Sequence, residues 1–382
     1  MRVLIIQPWI RVGGAELLSL HLSAELEARG HEAPIAALFV DPFGLPAIAR
    51  TRRYRLPPRW LADRFRASRA LTYVVGPFVL LALTAAEAGR VDLLNPHNVP
   101  APIVAAIAAW LHRIPIVWEA NEVPRPLSRE DAGALGPLER LAWLVASPLA
   151  SLAARAASAI IVLSQKSRDD VQAHYRLDAV VVTPGIDASA FAVSRNPRPA
   201  GAPLRLLFVG KLHPQKDPAR AVRVAARLTE TGHAIRLTVV GDGPQRAALE
   251  RLASDSGLGG ATTFLGQVSF ARLRQAYAES DVLLVTADAR QSWGLVPFEA
   301  LASGIPAVVS QEIGAAALLA RRDAALVTPA DDHAFCAAVE RIAADSTLSD
   351  RLVANGRRLL EDELTWGRFA ERCEDVFRQA VG

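Results

Sequence analysis

Residues 281–309 carry the most restrictive pattern in the chain. An apolar run, Asp281-Val282-Leu283-Leu284-Val285, leads into the loop Gln291-Ser292-Trp293-Gly294 and a short helical stretch opened by Pro297; a second apolar run, Ile305 to Val309, follows. Strands apolar on both faces belong inside parallel sheets whose two faces are covered by helices. Proline suits the first turn of the intervening helix, because its missing N–H is not needed there and its φ is already helical. The same succession recurs along the chain. Val3–Gln7, Val91–Asn95, Ile116–Trp118, Ala159–Leu163 and Val180–Thr183 read as strands of a first half, and Leu204–Val209, Ile235–Val240, Thr262–Leu265 and Ala324–Thr328 as strands of a second. Alternation of this kind predicts an α/β fold with parallel sheets. The 382 residues, 51% of them hydrophobic, exceed one ordinary core, so two domains are expected. Residues 191–202 read as the linker between residues 1–190 and 203–365, because Asn196-Pro197-Arg198-Pro199 and Gly201 interrupt both periodicities.

Two cysteines, Cys336 and Cys373, far apart and unpatterned, form neither a disulfide framework nor a zinc motif and suit a reducing cytoplasm. The first residues enter a strand directly, with no small-residue cleavage site, so no cleaved leader is expected. There is no nucleophile-elbow serine, no HExxH, no Walker lysine and no Asp-x-Asp pair, and no metal site is expected.

The net charge is only +4, but it is unevenly spread. Arg50, Arg52, Arg53, Arg55, Arg59, Arg64, Arg66 and Arg69 crowd together against a single acid, Asp63, with Trp60, Leu61 and Phe65 among them. An apolar run, Leu71 to Ala86, follows, broken by Gly76-Pro77. Residues 49–88 therefore fit contact with an anionic membrane surface, or equally a solvated arginine face over a buried helix. The run is too short for a span, which needs about 20 residues, and holds a proline. Nucleic acid is not expected as a partner, since acids elsewhere nearly balance the charge and no recognition module is present.

Polar residues gather where the predicted strands end, which is where open parallel sheets bind ligands. After the first strand, Gly13-Gly14 opens a helix; the pair serves either a tight turn or close approach of backbone to a phosphate or sugar. His97 follows the Val91–Asn95 strand and is either a capping residue or a reacting group. Asn121 and Glu122 follow Ile116–Trp118. In the second half, Lys211 and Lys216 sit five apart in one loop, two of only three lysines in the chain, and spaced cations of this kind can clasp a diphosphate. The N–H groups around Gly294, Leu295 and Val296 form a ready anion site at a helix start. Glu299, one turn on, can accept two sugar hydroxyls or stand as a solvated residue of an ordinary crossover.

Taken together, Gly13-Gly14-Ala15-Glu16, the loop Gly210-Lys211-Leu212 to Lys216, Gly241-Asp242-Gly243-Pro244, Phe264-Leu265-Gly266 and Gln291 to Glu299 resemble the family 4, or group 1, retaining glycosyltransferases over nearly the whole chain. The resemblance implies a GT-B fold: two Rossmann-like doubly wound parallel-sheet domains facing across a cleft. The last helix, residues 366–382, would return to the first domain. It implies that Lys211 and Lys216 hold a diphosphate, that Glu299 takes ribose hydroxyls, and that Gly294, Leu295 and Val296 offer amides to phosphate. Gly13 and Gly14 would close over the donor, and Gly241, Gly243, Gln267, Val268 and Trp293 would complete the donor site. Two positions depart from the family pattern. Gln291 stands where the first of two glutamates is usual, and Asn121 where a histidine is usual, leaving His97 or Glu122 to take its part. Asparagine can orient a hydroxyl but cannot trade protons.

The implied activity is metal-independent transfer, with retention, of a sugar from a UDP- or GDP-type nucleoside-diphosphate sugar, a co-substrate rather than a cofactor. The acceptor would be a glycan or lipid-linked saccharide of the cell envelope, met in the cytoplasm or at the inner membrane face. A nucleotide-sugar-binding protein with little catalysis and a sugar-nucleotide epimerase of similar fold are the alternatives.

Overall fold

The computed structural model describes the chain apart from Val12, Gly44, Glu122, residues 124–135 and Ala200, and apart from the side chains of residues 137–139. It divides into two compact units, Met1–Pro184 with Trp366–Gly382, and Gly185–Thr365.

The first unit is built on β1 (Val3–Ile6), β2 (Ile35–Ala36), β3 (Tyr54–Arg55), β4 (Leu93–Pro96), β5 (Val117–Glu119), β6 (Ala159–Val162) and β7 (Val180–Val181). Every pairing is parallel, in the orders β3-β2-β1-β4 and β5-β6-β7, with a bridge between Leu94 and Ile116 joining β4 to the second set. The four residues of β1 are fully buried, as expected of a run apolar on both faces. Its helices are α1 (Gly14–Ala28), α2 (Arg59–Ala67), α3 (Arg69–Val74), α4 (Gly76–Ala88), α5 (Ala101–His112), α6 (Pro137–Ala156) and α7 (Gln165–Tyr175). The apolar run from Leu71 is divided between α3 and α4 at Gly76, where the sequence is broken by Gly76-Pro77. A Cβ there would stand 2.6 Å from Leu38 Cδ1, so the missing side chain lets the start of α4 press on that leucine. The arginine-rich segment also contributes the edge strand β3, two residues long and too short to show alternation in sequence.

The second unit is a six-stranded parallel sheet in the order β10-β9-β8-β11-β12-β13. Its strands are β8 (Leu204–Val209), β9 (Ile235–Val240), β10 (Thr262–Gly266), β11 (Val282–Val285), β12 (Ala307–Ser310) and β13 (Leu326–Thr328). Its helices are α8 (Ala188–Phe191), α9 (Pro218–Glu230), α10 (Arg246–Asp255), α11 (Phe270–Ala278), α12 (Val296–Ala302), α13 (Ala316–Arg321), α14 (Asp332–Ala344) and α15 (Ser346–Asp362). Asp217, Ser269, Asp331 and Asp345 cap α9, α11, α14 and α15, each side chain accepting from a backbone N–H three residues on. Within the stretch read as a linker, Arg195, Asn196 and Arg198 bond to this unit. The Asn196 N–H donates to the Ala278 carbonyl at 3.0 Å, and Arg195, Arg198 and Arg205 converge on Asp281 at 3.7, 3.6 and 2.8 Å. The last helix, α16 (Trp366–Val381), packs on α1 of the first unit.

Candidate functional site

Strand order places the site of the second unit. From β8 the chain moves outward through β9 and β10, then returns to the other side of β8 with β11 and continues through β12 and β13. Direction reverses between β8 and β11, and the crevice beyond the carboxyl ends at such a reversal is where open α/β sheets hold ligands. β8 and β11 run in register, Leu207 opposite Leu283, so the loops after Val209 and after Val285 emerge side by side.

These loops are bound to one another. The Asp288 N–H donates to the Gln215 carbonyl at 3.0 Å, and the Gln215 side-chain amide to the Arg290 carbonyl at 2.9 Å. The Thr286 hydroxyl, at the end of β11, lies 2.9 and 2.8 Å from the carbonyl oxygens of Lys216 and Asp217. Lys216 Nζ donates to Gln291 Oε1 at 2.6 Å. Lys211 stands on the same loop as Lys216 with its side chain exposed.

Glycines set the geometry. Gly241 has φ +131°, and a Cβ on it would lie 1.9 Å from the Gly210 carbonyl oxygen; one on Gly243 would lie 2.5 Å from that of Leu212. These two glycines bring the loop after β9 into backbone contact with the loop that carries the lysines. The bonds Leu212 N–H to Asp242 O and Gln245 N–H to Leu212 O complete that contact. Gly294 has φ +99° and a would-be Cβ only 2.0 Å from Gln291 Nε2, so this turn excludes any side chain while Gln291 keeps its place. Gln267 and Val268 follow β10, the first exposed and the second half-buried; the Gly241 N–H bonded to the Gly266 carbonyl ties that strand end to the others.

Glu299 lies in α12, directly downstream of Gly294, Leu295 and Val296. Part of its surface is open, but its carboxyl is enclosed, and burial pushes its pKa up to about 7 against the opposing pull of a hydrogen bond from the Tyr277 hydroxyl at 2.7 Å. Trp293, expected at the donor, turns inward instead. It is 4% exposed and stacks on Phe298 with ring centroids 5.3 Å apart, which makes it part of the packing that seats α12.

The first unit reverses direction between β1 and β4. At these carboxyl ends lie Gly13 and Gly14, at the start of α1, and His97 after β4; Asn121 follows β5 nearby. Gly13 is extended, and a Cβ on it would stand 2.3 Å from Glu16 Oε2, so the glycine leaves room for that carboxylate to fold back. His97 is 1% exposed, and both ring nitrogens are engaged: Nε2 with Asn95 Oδ1 at 3.0 Å, and Nδ1 with the Asn121 amide nitrogen at 3.1 Å. Asn95 holds its own amide to the Val117 carbonyl, which leaves Oδ1 to accept. This network fits a neutral imidazole protonated on Nε2, and burial pushes the His97 pKa down to about 3. Glu119, 3.6 Å from Nδ1, is equally enclosed, and burial pushes its carboxyl up to about 8. The sequence left His97 open as a reacting group. In the structure both its ring nitrogens are engaged, Nδ1 by Asn121, whose amide oxygen is buried and makes no hydrogen bond to any described residue. Glu122 lies outside the described residues.

Sequence reasoning missed Tyr277, Thr286 and Asn95. Thr286 had a signal, since a hydroxyl directly after an all-apolar strand needs a partner. Asn95 had one too, two residues before His97 and so on the same side of the strand. Tyr277 reaches Glu299 only through tertiary packing.

Comparison with known proteins bears on both units. Residues 12–190 match Glycosyltransferase Family 4, and residues 191–359 match Glycosyl transferases group 1. The chain is 26% identical over 404 residues to a D-inositol 3-phosphate glycosyltransferase of Gordonia bronchialis, covering 97% of this chain and 84% of that one. It is 27% identical over 177 residues to the uncharacterized glycosyltransferase MJ1607 of Methanocaldococcus jannaschii, a match spanning 46% of this chain and 45% of that protein. Among solved structures, Anabaena Alr3699/HepE in complex with UDP and glucose superposes with a TM-score of 0.75 at 19% identity, covering 99% of this chain and 100% of that one. HepE and the other solved neighbours are GT-B glycosyltransferases, so the fold is GT-B. With both family signatures meeting end to end across residues 12–359, this chain belongs to the group 1, family 4 glycosyltransferases.

Proposed function

We propose that the protein transfers a sugar, with retention and without a metal ion, from a nucleoside-diphosphate sugar to a glycan or lipid-linked saccharide of the cell envelope. The observation that carries this reading is the joining of Lys216, Gln291 and the Gly294–Glu299 segment at the β8/β11 reversal. In this reading Lys216, with Lys211, neutralises the diphosphate, and the amides of Gly294, Leu295 and Val296 add hydrogen bonds to it. Glu299 accepts the ribose hydroxyls, and Gln291 turns its amide to a hydroxyl of the transferred sugar. Gly241 and Gly243 act by setting the lysine loop, with Gln267 and Val268 beside the nucleotide. Gly13 and Gly14 give backbone contacts to the donor, and Asn121, held by His97, orients a sugar hydroxyl.

In the reaction, the bond from the anomeric carbon to the diphosphate oxygen breaks as the acceptor oxygen bonds to the same face of that carbon. The acceptor proton passes to the departing phosphate oxygen. No side chain need take that proton, so a neutral His97 and an asparagine at 121 are compatible with turnover. Catalysis then rests on position and on charge stabilisation of the leaving group. The relatives' printed activities support a transferase, and the UDP bound in HepE supports a uridine donor.

A panel of UDP- and GDP-sugars with glycan and lipid-linked acceptors tests the reading, with product analysis for anomeric configuration. Transfer with retention in the presence of chelator is expected. Tight nucleotide binding without transfer or donor hydrolysis would instead establish a binding protein, and a changed donor sugar without acceptor an epimerase. Lys216→Ala is expected to weaken nucleotide binding roughly tenfold to a hundredfold, the value of a charge-assisted contact, with the fold retained. Unchanged affinity would remove Lys216 from the diphosphate.

A further inference from the structure

Among the described residues, all the exposed large apolar side chains but Phe270 belong to the first unit, and most of these lie on its helices. On α6, Leu141, Leu144, Val145, Leu149 and Leu152 are exposed at spacings of three and four, which is one continuous face. The buried side of that helix presents Ala150, Ala153 and Ala154. α5 is arranged in much the same way, with Ala101, Val104, Ala105, Ala108 and Ala109 inside and Ile107, Trp110 and Leu111 outside; Trp110 is 80% exposed. α4 adds Phe78, 72% exposed. α4 packs on α5 and α5 on α6, so the three faces adjoin. Amphipathic helices of a soluble domain put their large apolar residues inward. On α5 and α6 the inward side is mostly alanine while leucine, isoleucine, valine and tryptophan face out, and α4 turns Leu80 inward but Phe78 outward, an arrangement that isolated surface leucines do not explain.

Charge identifies the occupant. No acidic residue occurs between Asp92 and Glu119 or between Glu139 and Asp169. Arg113 and Arg155 are exposed at the ends of α5 and α6. α2 adds exposed Arg59 and Arg64, the latter 5.6 Å from the ring centroid of Trp60, itself 61% exposed. No helix among the described residues is long and apolar enough to cross a membrane.

We propose that the adjoining outer faces of α4, α5 and α6, with the arginines of α2, form the surface on which the protein rests on an anionic phospholipid bilayer. The arginine segment supplies attraction to the headgroups, and α5 and α6 supply the apolar contact, lying in the interface rather than across it. The inference requires nothing of the donor chemistry in the second unit.

Vesicle flotation of the full chain tests it, using phosphatidylcholine vesicles with and without phosphatidylglycerol at low and high salt. The wild type is expected to float with the anionic vesicles and to be released in part by salt. Arg59→Gln with Arg64→Gln should lower the partition coefficient by about fivefold for each arginine. Trp110→Gln with Leu144→Gln and Leu149→Gln should lower it by more than about tenfold. These positions are exposed, so both variants should keep the wild-type melting temperature and nucleotide affinity. The proposal falls if the wild type ignores anionic vesicles at both salts, or if the apolar variant floats undiminished. It also falls if sedimentation shows a wild-type dimer that the apolar variant abolishes while no vesicle binding occurs; a second copy would then be the occupant.

Discussion

Glu299 shows how much of the proposed chemistry depends on one hydroxyl. Burial pushes its enclosed carboxyl up to about 7 against the lowering supplied by the Tyr277 hydroxyl. Ribose hydroxyls donate, so the ionised carboxylate is the form that holds them. Since the free group ionises as pH rises through about 7, donor affinity should rise from pH 6 to pH 8 and then level. Tyr277→Phe removes a hydrogen bond to the charged form, so the pKa moves further up and the rise in affinity moves to higher pH. At neutral pH the loss should be roughly tenfold, the value of one bond to a charged group, and it should shrink in alkali. Calorimetric titration with the cognate nucleotide across this range checks it. A wild-type affinity independent of pH would show that Glu299 does not bind through its carboxylate.

The loops after β8 and β9 show a second kind of constraint, one of backbone contact. Gly241→Ala would set a methyl group against the Gly210 carbonyl at a φ that alanine rarely adopts. The strain alone is about 1–3 kcal/mol. More telling, relief requires the lysine loop to move, so nucleotide affinity should fall with stability. Gly232→Ala is the control: its φ of +93° is also unfavourable, but nothing lies within 4 Å. It should lower the melting temperature by roughly a few degrees and leave affinity alone. Equal affinity in the two variants would show that loop contact does not position the lysines. This difference marks what a sequence can convey. The Leu283–Val285 run announces a buried strand through composition alone, and Lys211 and Lys216 stand out through rarity. Gly241 and Gly232 are both loop glycines after regular elements, and only the path of a distant carbonyl separates them. β2 and β3, two residues each, are too short for any period. The inward side of α6 could not be read from its sequence, because the usual rule that large apolar residues face the core is reversed there. His97 likewise stood at the expected strand end, while its closed network depends on where β5 places Asn121.

At the scale of the whole chain, the last helix is the feature that connectivity most constrains. α16 follows the second unit directly in sequence and belongs to the first. Trp366, Phe369, Cys373, Val376 and Phe377 are buried there, and Trp366 stacks on His21 of α1 with ring centroids 4.1 Å apart. Glu374 accepts from Arg378 and lies 2.9 Å from His31 Nε2, and Arg29 donates to the Gly367 carbonyl. Four large apolar side chains at about 1.5–3 kcal/mol each amount to roughly 10 kcal/mol, as much as a typical domain has in total. Ending the chain at Thr365 should therefore unfold the first unit and spare the second, whose sheet is β8–β13 and whose core cluster is drawn from residues 204–352. Calorimetry should show two transitions reduced to one, with nucleotide binding retained by the remaining folded unit. Phe377→Ala, which leaves the helix in place, should lower only the transition of the first unit, by about 3–5 kcal/mol. If both transitions survived truncation, the buried face of α16 would contribute far less than its area implies. If nucleotide binding vanished while the second transition persisted, the donor site would need more than the β8/β11 loops.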